Sequence, residues 1–496
     1  MIPLPPPQSR FEFNLVDALP VPVTNLVNDS RLVTAGDTFL AYPGERQDGR
    51  QFIPQAIAQG ANAIVWVAQD YLWDPAWQVP NLPVPQLRSK VGEFAAEVYG
   101  RPSRKLCVIG ITGTNGKTSC SHWLAQALSQ AGRPAAIIGT LGNGFPEQLE
   151  PSPNTTPDPI VLQKSLQRYL QQGATCAAME VSSHALDQGR VNGVHFEVAL
   201  FTNLSREHLD YHGDMRRYAN AKSILFTWPE LQKAVINGDD AYGPELRQKA
   251  EAHGVQVVSY GFEHGEVRGS NLRVGPQGLT FDVATPWGEA RLESSVLGRF
   301  NAHNLLAVLS TLLVGGVPFE QAMVSVQHVQ AVPGRMQQIR LPGKPLVVVD
   351  YAHTPDALEK VLITLREISG ESKTSGAQLI CVFGCGGQRD KGKRPLMGDV
   401  AARLADAAVV TSDNPRNEEP RAIIDDILAG MADNYHVEED RAAAIDYAIA
   451  HAKAGDVVLI AGKGHEDYQE IKGVKLPFSD VEVALRALER HGGSKA

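Results

Sequence analysis

Ile109-Gly110-Ile111-Thr112-Gly113-Thr114-Asn115-Gly116-Lys117-Thr118 is the stretch whose reading decides the fold. An apolar run, Leu106 to Ile111, leads into it. An amphipathic segment leaves it near Lys117, with Trp123, Leu124, Ala127, Leu128 and Ala131 recurring on one helical face. Strand, glycine-rich turn and helix in that order gather backbone N–H groups and a positive helix end around a polyphosphate. The Lys117 ammonium and a metal-binding Thr118 hydroxyl complete the cradle. The strict GxxxxGK[ST] pattern has glycine where this chain has Ile111, and here the glycine falls at Gly113. A Gly-Lys-Thr triplet also occurs by chance in loops, but the flanking strand and helix favour a bound nucleoside triphosphate. The next apolar run, Ala135 to Ile138, is expected to close a β-α-β unit.

Outward from this loop, 496 residues exceed one hydrophobic core and imply roughly three domains. Hydrophobic residues make up 43% and charged residues 20%, as in globular proteins, and the net charge is −9. That charge argues against a general nucleic-acid or anionic-membrane binder, so an anionic substrate needs local arginines. The five cysteines, Cys107, Cys120, Cys176, Cys381 and Cys385, form no CxxC pair and no cluster with histidine, so reduced, buried thiols are expected. The N-terminal segment lacks a basic region followed by an apolar one. No apolar run approaches the roughly 18 residues of a membrane span. A cytoplasmic protein without membrane insertion or a nucleic-acid partner is expected.

Three α/β blocks are expected. Residues 1–102 alternate short strands, such as Ala61–Val67, with polar loops and helical stretches, and hold no phosphate loop. Residues 103–333 carry the phosphate loop and strand-like runs at Cys176–Val181 and Glu197–Thr202, both ending in polar residues. This is a parallel sheet with antiparallel strands added near Gly278–Ala284, and Asn304–Val314 reads as a helix. Residues 334–496 hold apolar runs at Pro345–Val349, Gln378–Phe383, Ala407–Thr411 and Val457–Ala461, alternating with helical segments. This predicts a Rossmann-like, doubly wound parallel sheet. Each of these runs is followed by a polar loop: Asp350–His353, Gly384–Arg389, Asp413–Arg416 and Gly462–Glu466. Four such loops at one sheet edge point to ligands rather than packing.

Chemistry-bearing candidates follow from position. Glu180 ends a strand beside the phosphate loop, where a carboxylate can hold magnesium with Thr118, although a solvated strand-end glutamate is the plainer alternative. The loop Thr202–His212 crowds His208, His212, Glu207 and Asp210 together. Lys222, in the expected helix Tyr218–Phe226, reads by itself as a surface lysine.

Taken together, Gly113–Thr118, Asn154-Thr-Thr-Pro157, Met179–His184, Thr202-Asn-Leu-Ser-Arg206, His208–Gly213 and Asp350–Pro355 resemble the Mur ligases, ATP-dependent amide-forming enzymes of peptidoglycan precursor synthesis. The resemblance spans essentially the whole chain. Asp413–Arg416 and Gly462–Glu466 look like the type that adds meso-diaminopimelate, and Glu207 stands where that family is expected to carry Asp. The resemblance implies that Lys117, Glu180, His208 and Lys222 are catalytic, with Lys222 carbamylated by carbon dioxide. It implies two magnesium ions, one on Thr118 and Glu180 and one on Glu180, His208 and Lys222. ATP would contact Gly113, Thr114, Asn115, Gly116, Lys117 and Thr118, and also Asn301, Arg335, Asp350 and His353. The UDP-linked substrate would meet Asn28, Ser30, Glu45, Arg46 and Gln47 at its uridine end. Its muramoyl-peptide end would meet Asn154, Thr155, Thr156, Ser182, Gln188 and Arg190. Arg416 would grip the far carboxylate of diaminopimelate, with Arg389, Asp413, Asn414, Pro415, Gly462 and Glu466 completing the pocket.

The resemblance implies small-molecule partners, namely the UDP-linked muramoyl dipeptide, meso-diaminopimelate and ATP, and a monomer is expected. Two alternatives compete: a ligase adding glutamate to folate, and a nucleotide-binding regulator without ligase activity. The first block of about one hundred residues and the Asp-Asn-Pro-Arg loop oppose the former. The presence of Lys117, Glu180 and His208 opposes the latter.

Overall fold

The computed structural model describes residues 16–44, 47–275, 277–370 and 376–491. Glu45 and Arg46, two of the expected uridine contacts, lie outside the described residues. The chain divides into two compact units. One runs to Arg268 and adds Ala284–Gly288 and Asn304–Val326, and the other takes Gly269–Val283, Glu289–His303 and the chain from Gln327. Among the described residues no helix is long and apolar enough to cross a membrane.

The first unit opens with a parallel sheet in the order β1 (Leu26–Val27), β2 (Thr38–Ala41), β3 (Ala63–Trp66), β4 (Asn81–Pro83). β2 and β3 are buried on both faces, which is why they read as continuous apolar runs rather than alternating ones. The helix Leu87–Val98 packs this block onto its neighbour, where Gly92 meets the backbone of Asn192 and Gly193. A side chain at Gly92 would overlap Asn192 O, so only glycine permits this approach.

The middle sheet comprises β5 (Cys107–Thr112), β6 (Ala135–Gly139), β7 (Gly142–Phe145), β8 (Gln148–Glu150), β9 (Cys176–Glu180), β10 (Val198–Phe201), β11 (Lys233–Asn237), β12 (Gln256–Gly261), β13 (Val267–Gly275), β14 (Gly278–Thr285) and β15 (Gly288–Ser294). The spatial order is β15-β14-β13-β12-β11-β10-β5-β9-β6-β7-β8. The expected β-α-β unit forms, with β5 and β6 parallel in one sheet and β9 inserted between them. The consequence is functional. The order β10-β5-β9, all parallel, sets the ends of three strands side by side, carrying Thr202, the phosphate loop and Glu180. Side-chain caps fix the helices that follow. Asp158 accepts from Ile160 N and Val161 N ahead of Pro159, and Ser182 accepts from Ala185 N.

In the second unit, β16 (Gln337–Ile339), β17 (Leu346–Asp350), β18 (Leu379–Phe383), β19 (Ala407–Val410), β20 (Tyr435–Val437) and β21 (Val457–Ala461) form a sheet ordered β16-β17-β21-β18-β19-β20. Only β16 runs antiparallel, so the loops after β17, β21, β18 and β19 all emerge at one edge, as the sequence implies. Beneath that edge Arg441 and Asp480, both fully buried, pair through two 2.8 Å bonds. The guanidinium also donates to Ala461 O (3.0 Å) and Ser412 O (3.5 Å), the residues just before Gly462 and Asp413.

Removing one partner of such a pair strands a buried charge. Asp480→Ala is expected to lower the stability of the second unit by about 3–5 kcal/mol, read as an earlier urea-unfolding transition. A loss below about 1 kcal/mol would show that Arg441 is adequately held by carbonyls alone.

Candidate functional site

The phosphate loop joins β5 to the helix Lys117–Gln130, and two glycines shape it. Gly113 (φ +149) and Gly116 (φ +85) adopt backbone conformations that side chains disfavour. A Cβ on Gly113 would also overlap Thr202 Oγ1, and one on Gly116 would stand 2.5 Å from Asn304 Oδ1. The loop is braced from β10. Asn203 Oδ1 accepts from Asn115 N (2.9 Å), its amide donates to Asn115 O (3.1 Å), and Asn203 O accepts from Thr114 N (2.8 Å). Thr202 Oγ1 donates to Asn115 O at 2.6 Å.

Two lysines converge on this loop. Lys117 Nζ donates to Gly113 O and Thr114 O, both at 2.8 Å, and Lys222 Nζ donates to the same Gly113 O at 2.8 Å. Lys222 is not the surface lysine that its helix suggests. It lies in Met215–Ser223, is 1% exposed and sits 4.4 Å from the centre of the Tyr218 ring. Burial, and after it the charge of Lys117, hold its amine well below ordinary lysine basicity.

Glu180 is fully buried at the end of β9. Its carboxylate accepts from Thr118 Oγ1 (3.0 Å), Thr140 N (2.8 Å) and Thr140 Oγ1 (3.1 Å). The expected Thr118–Glu180 pair is therefore assembled. Glu180 makes no hydrogen bond to His208 or Lys222, so the second expected metal set is not joined by direct contacts. His208 stands instead in an aromatic group with His184 (4.9 Å between centroids) and Tyr218 (6.0 Å), and 3.6 Å from Glu207. Burial lowers the basicity of His208, and burial followed by the charges of His208 and His212 brings His184 to about 4. Neutral imidazoles suit metal ligands or hydrogen-bond partners rather than fixed cations. His208 also carries a left-handed backbone (φ +56), a strain of order 1 kcal/mol or more that tends to collect at functional sites.

The donor set fits magnesium. Thr118 and Glu180 offer hard oxygens. Among the described residues no group of three or more His, Cys, Asp or Glu forms a metal cluster.

Next to Glu180 the structure gathers most of the expected muramoyl-peptide contacts. Thr155 Oγ1 lies 3.1 Å from Thr140 Oγ1, Thr156 Oγ1 donates to Glu180 O (2.8 Å), and Ser182 N donates to Thr156 Oγ1 (3.1 Å). Arg190 donates to Gln188 Oε1 (2.7 Å) and Thr156 O (3.2 Å). Asn154 is exposed beside them. In the first sheet Asn28 and Ser30 follow β1 and Gln47 follows β2. Asn28 donates to Tyr42 Oη (3.2 Å), Ser30 to Gln55 Oε1 (2.9 Å), and Gln47 is exposed.

The second unit carries the other candidates. Asn301 is buried and donates to Leu297 O (2.7 Å). Arg335 lies over the Tyr351 ring at 4.6 Å, and that ring also packs against His353 (4.6 Å) and His465 (5.2 Å). Asp350, expected to face the nucleotide, is turned inward. Its two oxygens accept from Met336 N (2.7 Å) and Ala352 N (2.8 Å), since a buried carboxylate needs donors. Burial pushes its pKa up, against the pull of Arg335. Those two bonds tie the segment at Met336 to the end of β17.

At the same sheet edge Asn414, Glu466 and Gly462 come together with Asp413. Asn414 Nδ2 donates to Glu466 Oε2 (2.7 Å), and a Cβ on Gly462 would stand 2.6 Å from Asp413 Oδ2. Pro415 O accepts from Glu418 N at 3.0 Å. Arg416 has a left-handed backbone (φ +52), and its guanidinium is partly committed within the protein. Nη1 donates to Gly387 O (2.8 Å) and Nε lies 3.2 Å from Glu470 Oε2. Arg389 is exposed on the loop after β18. Sequence reasoning assigned no role to Thr140, Asn203, Asn304, Arg441 or Lys463. Thr202-Asn203 and Gly462-Lys-Gly were visible as motifs, but Thr140 and Asn304 carry no local signal.

Family models match along the chain: "Mur ligase family, catalytic domain" over residues 22–99, "Mur ligase middle domain" over 111–312 and "Mur ligase, glutamate ligase domain" over 334–464. The chain is 55% identical over 480 residues to the UDP-N-acetylmuramoyl-L-alanyl-D-glutamate–2,6-diaminopimelate ligase of Chromobacterium violaceum, covering 96% of this chain and 97% of the relative. It is 52% identical over 467 residues to the protein of the same name from Neisseria meningitidis serogroup B, covering 93% and 94%. A solved structure under that name matches with a TM-score of 0.71 at 39% identity, covering 95% of this chain and 96% of that one.

Glu180→Gln keeps the side chain's shape while removing the charge that a cation needs. Magnesium-dependent ADP release is expected to fall by about 10²-fold or more, with the unfolding transition unmoved. Near-normal turnover at ordinary magnesium would sink the assignment.

Proposed function

The chain belongs to the Mur ligase family, and from that premise we propose that it links meso-2,6-diaminopimelate to UDP-N-acetylmuramoyl-L-alanyl-D-glutamate using ATP. The reaction serves peptidoglycan precursor synthesis, and the protein acts as a cytoplasmic monomer. One observation carries this reading. A phosphate loop and a strand-end carboxylate share one sheet edge in a chain that matches ligases of this name over nearly its whole length. Residues 1–102 take the UDP end of the substrate, 103–333 the ATP, and 334–496 the incoming amino acid.

The chemistry runs through an acyl phosphate. An oxygen of the substrate's glutamate carboxylate attacks the γ-phosphorus of ATP, and ADP leaves. The diaminopimelate amine then attacks the acyl carbon, and the tetrahedral intermediate expels phosphate as the amide forms. Carboxylate and triphosphate repel each other, so the cationic groups decide the rate. Lys117, now folded over neutral carbonyls, has a stronger acceptor in a phosphate oxygen. Thr155, Thr156 and Arg190 lie beside Glu180, where the reacting carboxylate must be held. Thr118 and Glu180 would hold one magnesium ion, and Glu180, His208 and Lys222 would serve a second; when bound, the metal would supply positive charge at the phosphates.

Lys222 reaches that role as a carbamate. Its neutral amine adds to carbon dioxide, forming an N–C bond and releasing one proton to solvent, which turns a would-be cation into an anionic oxygen ligand. Burial of the amine, and after it the charge of Lys117, favour the neutral starting form. Lys222→Ala is expected to lose activity and regain part of it with added short carboxylic acids. Failure of every small acid to rescue would favour a plain lysine.

ADP release assayed with the UDP-linked dipeptide, with and without diaminopimelate, tests the reaction. Release that depends on both substrates supports the proposal. Release with a folate and glutamate instead would favour the folate ligase, and none with any acceptor would favour a regulator.

Meso-diaminopimelate carries a carboxylate that lysine lacks, and Arg416 is its partner. Arg416→Ala is expected to weaken diaminopimelate by about 2–5 kcal/mol, measured by steady-state kinetics, and to leave ATP nearly unaffected. Equal losses for both would indicate damage to the fold instead.

A further inference from the structure

We propose that Lys463 is the positioning residue of the amino-acid pocket, its buried ammonium fixing which oxygen of Glu466 and which face of the Asn414 amide a bound diaminopimelate meets. The proposal rests on the ligase reading above. Lys463 lies between Gly462 and Gly464, whose left-handed backbones (φ +116 and +54) turn the loop sharply on either side of it. Its side chain is fully buried. An ammonium in such a place is costly unless its donors are used. Here Nζ reaches Asn414 Oδ1 at 3.0 Å and Glu466 Oε2 at 3.1 Å, with Asp413 Oδ1 at 3.8 Å. All three partners come from the two loops already assigned to diaminopimelate.

The geometry has directional consequences. Asn414 Oδ1 accepts from Lys463 Nζ and also from Glu470 N (2.9 Å), so two donors fix the amide and point Nδ2 at Glu466 Oε2 (2.7 Å). Lys463 and Asn414 both spend their bonds on Oε2 of Glu466. Its Oε1 is thereby left for the ammonium of a bound amino acid, on a side chain that is 18% exposed. The same network continues outward, because Glu470, tied to Asn414 through its backbone, stands 3.2 Å from the Arg416 guanidinium. One buried charge thus orders the groups that would read the ammonium and those that would read the carboxylate of the ligand.

Steady-state kinetics on the full-length protein separates the two roles. In Lys463→Met the KM for diaminopimelate is expected to rise about tenfold or more. The kcat and the KM for ATP should stay close to wild type. Parallel loss of kcat with unchanged KM for diaminopimelate would overturn the proposal. Should Lys463→Met not fold, the charge-balanced double variant Lys463→Met/Glu466→Gln is compared with Glu466→Gln. A higher diaminopimelate KM in the double variant supports positioning through Asn414, and an equal KM overturns it. Wild-type ADP release that ignores diaminopimelate would overturn the ligase reading itself, a result distinct from an unmoved KM in the variants.

Discussion

Two lysine amines share one carbonyl oxygen, that of Gly113, and much of the first unit is arranged so that they can. Two full positive charges cannot lie so close in a buried setting without cost, and Lys222 is the one that yields. Its amine, lowered in basicity and buried against the phosphate loop, is set apart from an ordinary surface ammonium. The left-handed turns at Gly113 and Gly116, and the Asn203 bonds to Asn115, hold that carbonyl where both amines reach it.

Topology supplies the remaining constraint. Because β9 is inserted beside β5, the buried Glu180 carboxylate meets Thr118 across neighbouring strand ends rather than across a flexible loop. Thr140 donates two further bonds to the carboxylate, so its orientation is set before any ligand arrives. The second unit uses the same device. Parallel strands deliver Asp413–Arg416 and Gly462–Glu466 to one edge, and the buried Arg441–Asp480 pair anchors the roots of both loops.

Much of this was legible in the sequence. Apolar runs of five or six residues flanked by glycine and polar loops marked the strands, and the Gly-Lys-Thr turn marked the phosphate site. What was not legible depends on partners distant in the chain. Nothing local shows that β9 separates β5 from β6, or that Thr140 lies beside Glu180. Lys222 looks solvated in sequence because burial of a lysine is decided by the surfaces that close over it. Asp350 looked like a ligand for the converse reason: a carboxylate at a strand end can serve a substrate or its own backbone, and here it holds Met336 and Ala352.

In the proposed reaction this constellation activates a carboxylate by phosphorylating it. Isotope transfer tests that most directly. With the glutamate carboxylate of the UDP-linked substrate labelled with oxygen-18, turnover in the presence of ATP and diaminopimelate should place one labelled oxygen in the inorganic phosphate for each amide formed. Amide formation with no label in the phosphate would contradict the account.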